Sequence, residues 1–206
     1  MSLRRDAERE ARINLIAEAA IRLFTASSYE EVTMDDIARE ADFGKATLYH
    51  YFESKDSLLL FIINRALSKL CQQIEIQCLP QEDVVAGLSN YIELRYQYYN
   101  DCFPLLLYIL RRQLEGQTLE QPGFVKLREL RAQKNQMVGE LLERGIAAGV
   151  FIPAGSGNLL RVVDSLIRGF IWIKMEHSEP TTDYISDKEL IEKVLAGGIL
   201  ACQINS

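Results

Sequence analysis

The chain has little with which to hold a metal or carry out covalent chemistry. Its 206 residues include two histidines and four cysteines. His50 and His177 form no His-Glu-x-x-His pair, and Cys71, Cys78, Cys102 and Cys202 contain no Cys-x-x-Cys, so neither a zinc site nor a disulfide framework is indicated. Cys71 and Cys78 share a helical face but lie roughly 10 Å apart along the axis, beyond disulfide reach. All four read as buried, inert thiols. A Gly-Lys-Ser/Thr phosphate loop and a nucleophile elbow are missing too, so no enzymatic reaction and no cofactor is suggested. No apolar run approaches the roughly 18 residues of a membrane span. The opening Met-Ser-Leu-Arg-Arg-Asp-Ala-Glu-Arg-Glu has no hydrophobic stretch, and a cytoplasmic location is expected. Positive charge is also short: 23 Lys and Arg against 29 Asp and Glu give a net charge of −6. Any nucleic-acid contact must therefore come from a few local cations rather than a broad basic field.

Strand signals are nearly absent, with little strict alternation and no Asn-Gly or Asp-Gly hairpin. Helical periodicity runs almost throughout. A first helix over 7–25 places Ile13, Ile16, Ala17, Ala20, Leu23 and Phe24 at spacings of three and four, with charges opposite. Thr33 is a credible N-cap, followed by Asp35 and Asp36 where the helix dipole favours negative charge, so a second helix is expected over 34–40. Ala41-Asp42-Phe43-Gly44 precedes a short helix over 45–51, and Ser54 opens a long one that ends near Cys78, ahead of Pro80. Further helices are expected over 83–100, 104–114, 124–148, 157–177 and 187–203, separated by turn formers. The fold class is thus all-α with about nine helices: a three-helix N-terminal domain over 1–52 and a larger helical bundle over 53–206.

Two short helices around a four-residue turn have the form of a helix-turn-helix, whose second helix enters the major groove. On a helical wheel Lys45, Ala46, Tyr49 and His50 share one side, Leu48, Tyr51 and Phe52 the other, and Thr47 the edge. Ile37, Ala38, Ala41 and Phe43 can meet Leu48 and Phe52 as a small core, leaving the polar side for a partner. Lys45 and Thr47 suit base edges or phosphates, Tyr49 and His50 suit phosphate or thymine-methyl contacts, and Thr33 can present its hydroxyl to a phosphate. Lys55 could clamp the same strand.

The pattern Thr33-x3-Ile37-Ala38-x2-Ala41-x-Phe43-x3-Thr47-Leu48-Tyr49-x-Tyr51-Phe52-x2-Lys55-x2-Leu58 resembles the N-terminal signature of the TetR family of transcription regulators. Asp42 stands where a glycine is commonest, and Gly44 where a serine cap is frequent. The resemblance implies that Thr33, Lys45, Ala46, Thr47, Tyr49, His50 and Lys55 face double-stranded DNA. It also implies an effector pocket and a dimer interface in the bundle, with repression as the default outcome.

Apolar residues surround the helix over 158–173 on more than one side, and small residues line the last helix. Leu166, Phe170, Leu195, Gly198 and Ile199 are therefore candidates for a two-fold homodimer interface. Tyr91, Phe103, Tyr108 and Trp172 are candidate walls of a pocket for a small apolar or aromatic effector. Arg95, on the apolar side of its helix, could pair with an acidic one. An enzyme is the rival class, and a helical sensor that no longer binds DNA is a third.

Overall fold

The computed structural model describes residues 2–114, 122–176 and 184–198. Among these are eight helices: α1 (Ser2–Ala26), α2 (Met34–Glu40), α3 (Lys45–Tyr51), α4 (Lys55–Gln77), α5 (Val84–Leu114), α6 (Pro122–Ala147), α7 (Ser156–Glu176) and α8 (Tyr184–Gly198). The all-α expectation holds, with eight helices among the described residues against the about nine expected. The two helices expected over 83–100 and 104–114 are one, α5, which passes through Pro104. A proline inside a helix forfeits one backbone hydrogen bond and crowds the preceding turn. Here Cys102 and Leu105, on either side of it, are each 2% exposed, so burial of both flanks holds the helical path across the defect.

The chain forms two compact units, Met1–Arg65 with Cys102–Leu127 and Ala66–Asp101 with Arg128–Ser206. In the first, Ile16, Ala20 and Phe24 of α1, Ile37 and Ala38 of α2, Leu48 of α3 and Leu58, Leu59, Ile62 and Ile63 of α4 are buried. An Arg22–Glu40 ion pair at 2.8 Å ties α1 to α2. In the second, Leu67, Leu70 and Ile74 of α4 are buried, as are Leu88 and Ile92 of α5, Val138, Leu141 and Leu142 of α6, Val163 and Ile167 of α7, and Ile191 and Leu195 of α8. Arg144 of α6 donates to the carbonyls of Leu79 and Gln81 at 2.7 and 2.6 Å and so satisfies the turn between α4 and α5. Cys71, Cys78 and Cys102 are free and buried, and burial pushes the Cys78 thiol up to about 12. Cys202 lies outside the described residues.

Two helix ends reverse through the left-handed region. Gly149 follows α6 with φ +70. Its N–H bonds to Ile146 O at 3.0 Å, and that of Val150 to Gly145 O at 2.9 Å, the paired closure of a Schellman motif. After α2 the same pattern recurs, with Asp42 N–H to Arg39 O at 3.2 Å and Phe43 N–H to Ala38 O at 2.9 Å. There the left-handed position, φ 56, is held by Asp42, one of the few side chains that tolerates it.

Candidate nucleic-acid interface and effector site

Thr33 caps α2 through a capping box: its hydroxyl accepts from Asp36 N–H at 3.2 Å, and its own N–H donates to the Asp36 carboxylate at 3.0 Å. The Thr33 hydroxyl also donates to that carboxylate at 2.5 Å, and these bonds hold the Asp36 carboxyl below its usual range. Helix α3 has no such cap, since Gly44 supplies no side chain. Its orientation comes from burial instead. Leu48 is 0% and Phe52 6% exposed, while Lys45, Ala46, Tyr49 and His50 form an exposed face with Thr47 half-buried beside it. Lys45 Nζ pairs with Asp35 at 2.8 Å, so the one lysine of α3 lies beside an acid from α2.

Lys55 does not extend this face. Its ammonium donates to the carbonyls of Tyr29 and Val32 at 2.6 and 2.7 Å and sits 4.2 Å from the Tyr29 ring centre. With its donors spent on the loop between α1 and α2, Lys55 orders that loop rather than reaching outward, and burial lowers its pKa. Tyr29 in turn donates to Asp56 at 2.5 Å and stacks on Tyr108 with ring centres 3.8 Å apart. Tyr108 therefore belongs to the packing of the first unit.

The second unit encloses a charged cluster. Arg95 and Lys134 are 5% and 4% exposed. Asp164 of α7 meets both, with Oδ1 at 3.3 Å from Arg95 Nε and Oδ2 at 2.6 Å from Lys134 Nζ. The Tyr91 hydroxyl donates to Asp164 at 2.5 Å and accepts from Lys134 at 3.0 Å, and Arg95 Nη2 donates to the Tyr99 hydroxyl at 2.8 Å. Burial and the neighbouring Arg95 pull Lys134 down to about 8 even with Asp164 alongside. Burial alone would raise the Asp164 carboxyl, but the two cations hold it below the usual carboxylate range. Two hollows lie in the same unit. One of about 790 Å³ between α6 and α7 is bordered by Asp164 and Arg168. The other, about 500 Å³, is lined by Leu88, Ile92, Phe151 and Leu195.

The N-terminal segment and the helical fold have counterparts in known proteins. The family profile of bacterial regulatory proteins of the tetR family matches residues 16–62, the span from mid-α1 into α4. The HTH-type transcriptional repressor KstR of Mycobacterium tuberculosis is 26% identical over 95% of this chain and 72% of its own length. The solved TetR family regulator PfmR of Thermus thermophilus is 29% identical, with a TM-score of 0.64 over 76% of this chain and 82% of its own. Residues 16–62 carry the TetR-family DNA-binding domain, and the chain is similar to regulators of that family along most of its length. A third structure, the transcriptional regulator FadR of Bacillus subtilis in complex with stearoyl-CoA, shares the fold at a TM-score of 0.72 and 18% identity, covering 90% of this chain and 98% of that one.

With that domain and those relatives, the chain is a DNA-binding transcriptional regulator and not an enzyme. Among the described residues no helix is long and apolar enough to cross a membrane. Of the effector-wall residues expected in this bundle, Tyr91 and Arg95 come together, whereas Trp172 is 44% exposed on α7 and the Phe103 side chain lies outside the described residues. Lys134 and Asp164 went unnoticed in the sequence. Each could have been suspected as a lone charge on the apolar side of a helix, the same signal that singled out Arg95. Of the dimer candidates, Leu166 and Phe170 are half-buried, and Gly198 and Ile199 have no described side chain. Leu195 is 4% exposed and turned into its own unit; the outward apolar side chains are Val162, Trp172 and Ile173 of α7 and Leu190 and Val194 of α8, each between 44% and 57% exposed.

Proposed function

We propose that this regulator binds an inverted-repeat operator as a homodimer and acts as a cytoplasmic repressor released by a small apolar or aromatic effector. Residues 1–52 supply the DNA-binding domain, and 53–206 the effector-binding and dimerisation domain. The observation that carries this is the division of α3: Leu48 and Phe52 anchor it from within while Lys45, Ala46, Thr47, Tyr49 and His50 stand along the outside, the geometry of a helix laid in a major groove. Thr33 serves this motif by capping α2 rather than by offering its hydroxyl to a phosphate, since its N–H and hydroxyl are both given to the Asp36 carboxylate. The outward apolar residues of α7 and α8 support a partner copy, because an apolar patch of that kind rarely stays in water. The mainly apolar hollow beside Leu88, Ile92 and Phe151 is of a size for a small effector. KstR is a repressor, and the solved FadR holds stearoyl-CoA.

The test is a band-shift titration against the chain's own upstream DNA. Affinity should fall with salt, by a log–log slope of about −0.9 for each phosphate neutralised. Lys45→Ala and Tyr49→Ala should each lose specific binding by at least tenfold while the circular-dichroism melt stays within a degree or two, consistent with about 1–3 kcal/mol per good base contact. If both variants protect the same sequence as the parent, α3 is not the reading helix. Sedimentation of the parent at micromolar concentration should give a dimer, weakened in Val194→Glu; a monomer would refute the homodimer.

Asp35 gives a second expectation. Its carboxylate engages Lys45 in an exposed ion pair, an arrangement weak enough for a phosphate to take over. Asp35→Asn should therefore tighten operator binding several-fold, by freeing the lysine and removing a negative charge close to the DNA. Weaker binding in that variant would mean that the pair orients Lys45 for its contact.

A further inference from the structure

Among the described residues, the Arg95–Lys134–Asp164 cluster of the second unit carries two cations and one carboxylate. Arg95 is always protonated, Lys134 brings a second ammonium, and among the described residues Asp164 is the one carboxylate that meets either of them. Tyr91 and Tyr99 add neutral hydroxyls. Arg95 Nε is buried and, at 3.3 Å from Asp164, lies near that carboxylate without a hydrogen bond to it. A buried cation without its full complement of acceptors is costly, and proteins avoid it unless something completes the pairing.

One side of this cluster is open. The Asp164 side chain is 14% exposed, and it borders the hollow of about 790 Å³ between α6 and α7, together with Arg161, Arg168, Glu140 and Glu143, while Arg95 and Lys134 lie behind Asp164 and outside this wall. A small molecule entering there meets two arginines and two glutamates along the wall and, behind Asp164, a lysine and an arginine short of one acceptor group. Its volume is in the range of small-molecule sites.

We propose that this cluster is the binding site for a small organic monocarboxylate, held by Lys134 and Arg95 with Asp164, which rests on the effector role proposed above for this unit. The charge count selects a monoanion: Arg161 and Arg168 in the wall are matched by Glu140 and Glu143, and within the cluster one added carboxylate brings two cations and two anions into balance, whereas a dianionic phosphate overshoots. The planar pair of oxygens on a carboxylate also matches the fork of a guanidinium better than a spherical ion does. A neutral isostere such as the amide offers one acceptor and brings two donors against a cluster already rich in donors, so it is rejected.

The experiment is thermal shift of the full chain at pH 7 and constant ionic strength, with hexanoate and benzoate set against hexanamide and benzamide. At least one acid should raise the parent's melting temperature saturably, and neither amide should. Lys134→Met keeps the length of the side chain and removes the excess charge, so it should fold at least as well as the parent and weaken the acid's apparent affinity by at least tenfold. The proposal is overturned if neither acid exceeds its amide in the parent, or if Lys134→Met responds as the parent does. The effector role is read in a separate arm, the band shift with and without the stabilising acid. An acid that stabilises the chain without releasing DNA refutes that role and leaves the anion site standing. Release by a neutral compound alone, with no response to either acid, does the reverse.

Discussion

Asp164→Asn should destabilise the chain by about 3–5 kcal/mol, the range for removing one partner from a buried ion pair. The loss would come from what stays behind. Arg95 and Lys134, both nearly enclosed, would face each other with an amide between them in place of a carboxylate. Urea unfolding at pH 7 measures it as a lower midpoint at unchanged slope. Adding Lys134→Met should recover part of the loss, because one of the two stranded cations is gone; contacting residues commonly couple by 0.5–3 kcal/mol in such a cycle. A change under about 0.5 kcal/mol in the single variant would mean that Asp164 does not balance the cluster. Acid should act on the parent in the same direction. The folded-state pKa of Asp164 is lowered, so its contribution is fully present above the unfolded carboxyl value near 4 and is lost as pH falls through the lower folded value. Asp164→Asn should lack that component of the acid sensitivity.

Gly145→Ala should be the other severe substitution. A β-carbon there would stand 2.1 Å and 2.2 Å from two ring atoms of Phe151, inside any tolerable contact. The ring has little room to retreat: Phe151 is 1% exposed, and its own N–H bonds to the Gly145 carbonyl at 3.1 Å. Alanine would gain about 1 kcal/mol over glycine in an unobstructed helix, while forcing extra atoms into a packed core costs about 1–3 kcal/mol and sometimes more. With so deep an overlap the steric side wins. At the upper end of that range the net loss is about 2 kcal/mol, which corresponds to roughly 4–8 °C in Tm for a chain of this size. Gly139, in the same helix, has nothing within 4 Å of its β-carbon position, so Gly139→Ala should be neutral or stabilising. Phe151→Leu placed in the Gly145→Ala background should restore part of the loss. A Gly145→Ala chain that melts with the parent would show that α6 and Phe151 can separate at little cost.

Most of the helical framework follows from local rules, which is why it is visible in the chain alone. Apolar residues spaced three and four apart mark the inward side of a helix wherever it goes. Leu48 and Phe52 are buried and Lys45, Ala46, Tyr49 and His50 exposed, as the wheel requires. Thr33 with Asp35 and Asp36 announces the start of α2, and the capping box forms there within four residues. The family signature lies in that same short segment and so is equally legible.

Other features depend on residues distant in sequence. Pro104 would end an isolated helix, yet α5 continues because burial on both flanks outweighs one lost hydrogen bond. Lys55 has the position of a phosphate clamp, but its ammonium was claimed by carbonyls more than twenty residues earlier. Which apolar residues of the last two helices point outward could not be read from composition either, since Leu195 and Val194 are neighbours of like chemistry and only packing turned the first inward. The charged cluster is the clearest case. Arg95, Lys134 and Asp164 sit on three different helices with no local pattern linking them, and only the tertiary fold brings them to within ion-pair distance. By itself the sequence determined the helices, their inner faces and the family signature, because each rests on short-range periodicity and capping; the tertiary structure alone decided which charges are buried together, because that depends on how the helices pack.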